Sequence, residues 1–181
     1  NYKPQTFVSR LKRFADAKYS TSQIYQSYPS VVLELNHIKF DLVPAYKLWG
    51  TIYIPSPGAD YLDWISTDPN GFNSELSDKN RNNDYEIKSM IRLLKYWNTQ
   101  NNYVYDSYLL EKHLVAQHYY CSGLKEYFYS AVNSLSTWNL PQYKIDKVEK
   151  AKKVIADTKQ LEADNMPYTA ESRMKDLIPE L

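Results

Sequence analysis

The stretch "VVLELNHIKFDLVPA" (residues 31–45) decides the reading of this 181-residue chain. Apolar and polar residues alternate on both sides of Asn36-His37, the pattern of a half-buried strand pair joined by a tight turn. Asn tolerates the positive φ that a two-residue hairpin turn demands. With this turn, Leu35 faces Ile38, Glu34 faces Lys39, Leu33 faces Phe40, Val32 faces Asp41 and Val31 faces Leu42. Val31, Leu33, Leu35, Ile38, Phe40 and Leu42 then share one face, and Glu34 and Lys39 make a cross-strand ion pair on the other. Asp41 falls on that second face, between Lys39 and Val43 along its strand. A carboxylate among valines needs solvent, a cation or a metal. Two readings fit this spacing: an ordinary solvated carboxylate on an open sheet face, or a metal ligand.

Outward from the hairpin, the N-terminal side reads as a helix over residues 4–17. Pro4 suits its first turn, and Phe7, Leu11 and Phe14 recur at helical spacing. On the C-terminal side, "TIYIPSP" (51–57) is a short strand ended by prolines. Residues 64–80, "WISTDPNGFNSELSDKN", are turn-rich around Asp-Pro-Asn-Gly. From Asp84 onward the periodicity predicts helices near 84–99, 106–120, 123–136, 143–163 and 169–178, with Asp84, Asp106 and Thr169 as N-caps. The fold class is therefore α+β: a remnant of a mixed β-sheet core (hairpin 31–45) followed by a C-terminal helical bundle. The domains are expected at 1–60 and 61–181, with a junction near 58–72.

Composition narrows the function classes. Hydrophobic residues make up 43% and charged residues 24%, which describes a globular chain. A formal net charge of +1 excludes a strongly basic wrapper of nucleic acid but leaves room for a local basic patch. A single cysteine, Cys121, has no internal disulfide partner, which suits a reducing, cytoplasmic compartment. No apolar run reaches the roughly 18 residues of a membrane span, and no signal peptide is visible, so no membrane partner is expected. The 4 glycines form neither a P-loop nor a GxGxxG pattern.

The helical half supplies further candidates. In 84–99, Ile87, Met90, Ile91, Leu94 and Trp97 or Asn98 make an apolar stripe. Lys88, Arg92 and Lys95, at i, i+4 and i+7, line another face. That face is either a solvated basic surface or an anion contact. His113 and His118 are five residues apart, on different helix faces, and His37 belongs to the turn, so the histidines make no metal site. Cys121 has no partner at metal-ligand spacing and reads as structural. Residues 146–164 mix charges every turn and read as a solvated packing helix.

The segment "VVLELNHIKFDLVPAY" resembles the third-carboxylate strand of the polymerase-β-like nucleotidyltransferases. Within them it is similar to the group of oligoadenylate synthetase, cyclic GMP-AMP synthase and their bacterial relatives in anti-phage signalling. "WISTDPNGF" resembles the family's linker into the helical half, and "IRLLKYWN" followed by "SYLLEKHLV" resembles the two helices that hold the triphosphate. The resemblance implies that Asp41 is the third ligand of a two-Mg²⁺ site, serving mainly the ion at the attacking hydroxyl. It implies that Lys95 and Ser107 contact the triphosphate of ATP or GTP, with Arg92 on the same basic face and Tyr108 a stacking surface for a base. A helix N-terminus at Ser107 would add backbone N–H groups. The family carries its other two carboxylates in an acid-x-Asp pair after a Gly-Ser turn, N-terminal to this strand. This chain has no Gly-Ser, and its acid-x-acid triplets, Asp84-Tyr85-Glu86 and Glu162-Ala163-Asp164, both follow Asp41 in helical context. The expectation is a C-terminal part lacking roughly 80–120 residues of an enzyme, judged by domain size. Such a part would be inactive alone; it would either dimerise through its uncovered sheet or persist because the helical half folds on its own, the second, with some self-association, being the favoured outcome. The alternative reading is a catalytically silent nucleotide- or RNA-binding or protein-interaction module; a helical adaptor sharing only the core pattern is a third.

Overall fold

A computed structural model describes residues 3–56 and 63–179. The chain divides into two compact units, Asn1–Gly71 and Phe72–Leu181. The fold is α+β, with the described strands confined to the first unit.

The first unit opens with helix α1 (Pro4–Lys18), followed by strands β1 (Gln23–Ser27), β2 (Ser30–Leu35), β3 (Ile38–Leu42), β4 (Tyr46–Leu48), β5 (Thr51–Pro55) and β6 (Trp64–Thr67). The strands form two three-stranded antiparallel sheets, ordered β1-β2-β3 and β4-β5-β6. The β2–β3 register matches the expected one at all five pairs, from Leu35↔Ile38 to Val31↔Leu42. Asn36 makes the turn with φ 51°. The sequence reading missed β1 and β4. β1 is a short polar strand, "QIYQS", whose partner hides the signal: it pairs with the most buried strand of the sheet, β2. β4 returns into β5 through Trp49-Gly50, both at positive φ, the twist that a tight hairpin requires. Pro57, the end of the expected strand 51–57, lies outside the described residues, as does the 58–62 part of the expected junction.

Burial in this unit departs from simple alternation. Val31, Val32 and Leu33 are all buried, so β2 is covered on both faces, whereas Ile38 and Phe40 on β3 are exposed. The reason is position: β2 is the central strand of its sheet and lies against α1, while β3 is an edge. The buried face of α1 carries Pro4, Val8 and Ala15 with Leu11 half-buried, one position round from the expected Phe7, Leu11 and Phe14; Phe14 is exposed. Phe7 instead packs edge-on against Trp64, with ring centroids 5.4 Å apart.

The turn-rich reading of 64–80 is overturned. Residues Trp64–Thr67 are β6, and a helix, α2 (Pro69–Arg81), follows at once. Asp-Pro here is a helix start rather than a turn. The Asp68 carboxylate accepts the N–H of Gly71 at 2.8 Å, and Pro69 occupies a first-turn position where no N–H is needed. Gly71 leaves room for that carboxylate, since a Cβ there would collide with it.

Five more helices complete the second unit: α3 (Glu86–Gln100), α4 (Ser107–Ala116), α5 (Leu124–Ser134), α6 (Gln142–Ala163) and α7 (Pro167–Met174). Ile87, Met90, Ile91, Leu94, Trp97 and Asn98 of α3 are all buried, as the apolar stripe requires, and Leu114, Phe128, Val132, Val148 and Ile155 complete one core with them. Two expected N-caps fail. Asp84 and Tyr85 are both left-handed, with φ 52° and 63°, so Tyr85 takes the cap position. Capping passes to the buried Asn80 of α2, whose side-chain oxygen accepts the N–H of Lys88 at 2.9 Å. At α7, Pro167 sets the first turn ahead of Thr169, and Met166 is the cap residue. α4 stops at Ala116 rather than near 120, because Gln117 turns extended, with φ −69° and ψ 154°.

Candidate functional site

In the first unit, Asp41 stands on the exposed edge strand β3, across from fully buried Val32. The Ser30 hydroxyl, which also donates to Ser27 O at 2.7 Å, is 3.4 Å from Asp41 Oδ1. β2 thus fixes the strand that carries the carboxylate, while the carboxylate itself faces water. The expected Glu34–Lys39 ion pair is replaced by a three-membered cluster. Tyr25, on β1, donates its hydroxyl to Glu34 Oε1 at 2.8 Å, and Lys39 Nζ lies 5.8 Å from the centre of the Tyr25 ring. Tyr25, and after it the charges of Asp41 and Glu34, hold the Lys39 ammonium above the ordinary lysine range. The missed strand β1 explains the change: a third strand brings a phenol into a gap that two strands would have left to the ion pair.

A hard, exposed carboxylate oxygen on a rigid strand is the donor chemistry that Mg²⁺ takes. Asp41 offers one such oxygen, and the described residues hold no group of three His, Cys, Asp or Glu that could hold a metal ion together. The His113 ring bonds Ser134 O at 3.0 Å, and Cys121 is a free, half-buried thiol.

In the second unit the structure brings together α3 and α4. Lys95 forms an ion pair with Glu111, with both side chains more than half-buried. Glu111 lies one turn after Ser107 on α4, so the Lys95 ammonium reaches the face of α4 that carries Ser107. Arg92 is exposed one turn before Lys95 on α3, and Lys88 Nζ reaches Ser77 Oγ at 3.4 Å. Tyr108 is half exposed and stands edge-on to Phe72 of α2, with centroids 5.4 Å apart. The ring is therefore steadied by a neighbour without being buried. Asp106 is the expected N-cap: its Oδ1 accepts the N–H groups of Tyr108 and Leu109, each at 2.9 Å. Those two donors, expected to serve a phosphate, are thus already engaged by a carboxylate.

Glu111 escaped the sequence reading. Its signal was present, an acid four residues after Ser107, but only the crossing of α3 over α4 shows that it holds Lys95. Asn98 lies beside Trp97 at the end of the apolar stripe of α3. It is buried because its side-chain amide pairs both ways with the backbone of Tyr105: Nδ2 donates to Tyr105 O and Oδ1 accepts Tyr105 N–H, each at 2.9 Å.

Comparison with known proteins bears out the family resemblance read from the sequence. Residues 1–80 match the model of the Second Messenger Oligonucleotide or Dinucleotide Synthetase domain. The chain is also similar to a curated protein of Bacillus cereus (strain VD146) named "Probable cyclic nucleotide synthase", with 29% identity over 118 residues. That alignment covers 60% of this chain and 35% of the relative, so the chain spans about a third of the curated protein that it matches.

Proposed function

We propose that the chain works within an NTP-dependent nucleotidyltransferase that makes linear or cyclic oligonucleotide second messengers in bacterial anti-phage defence. The match of residues 1–80 to a second-messenger synthetase domain carries this reading. In such a transfer a hydroxyl oxygen attacks the α-phosphorus of an NTP, the bond from that phosphorus to the bridging oxygen breaks, and pyrophosphate leaves. Asp41 is the carboxylate that would hold a metal at the attacking hydroxyl, together with the two carboxylates that the family carries on a neighbouring strand. Mg²⁺, bound as two ions, would supply activation of that hydroxyl and neutralisation of the leaving pyrophosphate. Lys95 and Ser107 contact the triphosphate, Arg92 adds charge on the same helix, and the exposed face of Tyr108 stacks on a base. On this reading the protein works among free NTPs, in the cytoplasm. No described helix is long and apolar enough to cross a membrane.

The test is product formation from ATP and GTP with Mg²⁺, resolved by chromatography, for two proteins. Protein from the complete reading frame is expected to release pyrophosphate and form an oligonucleotide, and the 181-residue chain alone is expected to form none. Absence of product and of NTP binding in the first would favour a silent interaction module. Robust product from the second would place all catalytic carboxylates within these residues.

A further inference from the structure

The loop between α3 and α4 has an unusual construction. Residues 101–106 contain two consecutive left-handed residues, Asn102 with φ 58° and Tyr103 with φ 54°, neither of them glycine. Such conformations persist when the surroundings fix them. Here the surroundings are side chains from other elements. Lys144 of α6 donates its ammonium to Tyr103 O at 2.9 Å and to Val104 O at 2.8 Å. Lys147, one turn later, donates to Asn101 O at 2.7 Å. Asn98 of α3 holds Tyr105 from the other end, and the Tyr105 hydroxyl donates to Ser136 O at 2.8 Å. The carbonyls of residues 101, 103, 104 and 105 are thus each claimed by a side chain, two of these side chains being cationic. Charged donors make the stronger kind of hydrogen bond.

This loop ends at Asp106, directly before Ser107 and Tyr108, and starts directly after the helix that carries Lys95. Its shape therefore sets the spacing of Lys95 from Ser107. We propose that Lys144 and Lys147 are positioning residues for the nucleotide site, acting from behind the α3–α4 loop to hold Lys95 and Ser107 in register for one triphosphate. The inference rests on the nucleotide-binding reading above. Neither lysine touches the nucleotide; both act through the loop backbone. Without them the two left-handed residues relax, α4 shifts against α3, and the two triphosphate contacts no longer converge.

The experiment uses protein from the complete reading frame and measures KM and kcat for NTP, direct NTP and nucleoside affinities, and Tm. Lys144→Met and Lys147→Met are expected to raise KM for NTP about tenfold, leave kcat within about twofold, and leave nucleoside affinity unchanged. Lys144→Arg, which keeps two donors, is expected to restore KM. Lys152→Met, which removes the α6 ion pair to Glu149, controls for loss of a lysine on this helix and is expected to leave KM unchanged. If the Met variants fail to fold, Lys147→Gln and Lys144→Gln give graded losses of the same contacts, and KM should follow them. An unchanged KM in the Met variants, or an equal rise in Lys152→Met, overturns the proposal. Lys95→Ala separates this failure from failure of the site itself: a raised KM there with silent clamp variants rejects only the clamp, whereas no effect of Lys95→Ala rejects the nucleotide site.

Discussion

Asp41→Asn keeps the shape of the side chain and removes its charge. Because Asp41 is exposed and its Ser30 contact is a long one, stability should change by no more than about 0.5 kcal/mol. Nucleotide transfer by the complete protein should be abolished, and near-normal turnover with Mg²⁺ present would remove Asp41 from the metal site. Lys95 offers a paired test. Its ammonium is held by Glu111, so a triphosphate must compete with that carboxylate. Lys95→Ala should weaken NTP binding by roughly 1.5–3 kcal/mol, the worth of a charge-assisted hydrogen bond, while sparing nucleoside binding. Glu111→Gln should do the reverse and tighten NTP binding. Calorimetry on both variants checks the pair, and equal losses for NTP and nucleoside would place the triphosphate elsewhere.

At the scale of elements, helix starts carry the testable content. α2 begins on the Asp68 cap, and Gly71 gives the capping carboxylate its room. Asp68→Ala should cost about 1 kcal/mol, the usual loss for an N-cap, measurable as a lowered denaturant midpoint with unchanged slope. An unchanged midpoint would mean that Pro69 alone sets the helix. The edge strand β3 is the other element exposed to test. Ile38 and Phe40 leave an apolar, unpaired border of the kind through which sheets associate. Phe40→Lys should lower self-association of the 181-residue chain in sedimentation, and unaltered association would place the contact on another surface.

Across the whole molecule, the helical unit carries a tyrosine signature in its pH response. Desolvation pushes the hydroxyls of Tyr105 and Tyr129 up to about 12, with Glu149 and Glu162 adding to the shift. An unfolded tyrosine titrates at about 10. The folded state thus holds these protons more tightly. Their contribution is complete below about pH 10 and is lost as pH rises toward 12. Thermal melts should therefore hold level from neutral pH to about 10 and then fall, with Tyr105→Phe flattening that fall. A Tm independent of pH up to 12 would contradict the burial of these hydroxyls. The Tyr105 proton is also the one donated to Ser136 O, so alkaline loss should loosen the α3–α4 loop first.

The sequence alone determined the β2–β3 hairpin, its register and the placement of Asp41 opposite Val32, because a period of two and an Asn turn leave only one pairing that segregates apolar from polar. It determined the buried stripe of α3 and the Asp106 cap for the same reason: both are local and follow from spacing. Local spacing could not reveal which face of β3 would be left uncovered, since that depends on β2 being central and β3 an edge. It could not show that Tyr25 would replace the Glu34–Lys39 pair, because β1 is too polar and short to announce itself. Asp-Pro-Asn-Gly reads equally as turn or helix start until the Asp68 carboxylate is seen on the Gly71 N–H. The Lys95–Glu111 pair and the lysine clamp on residues 101–104 join positions 16 to 46 residues apart. Only the packing of α3, α4 and α6 brings such groups together, since nothing in the local spacing of either partner encodes the other.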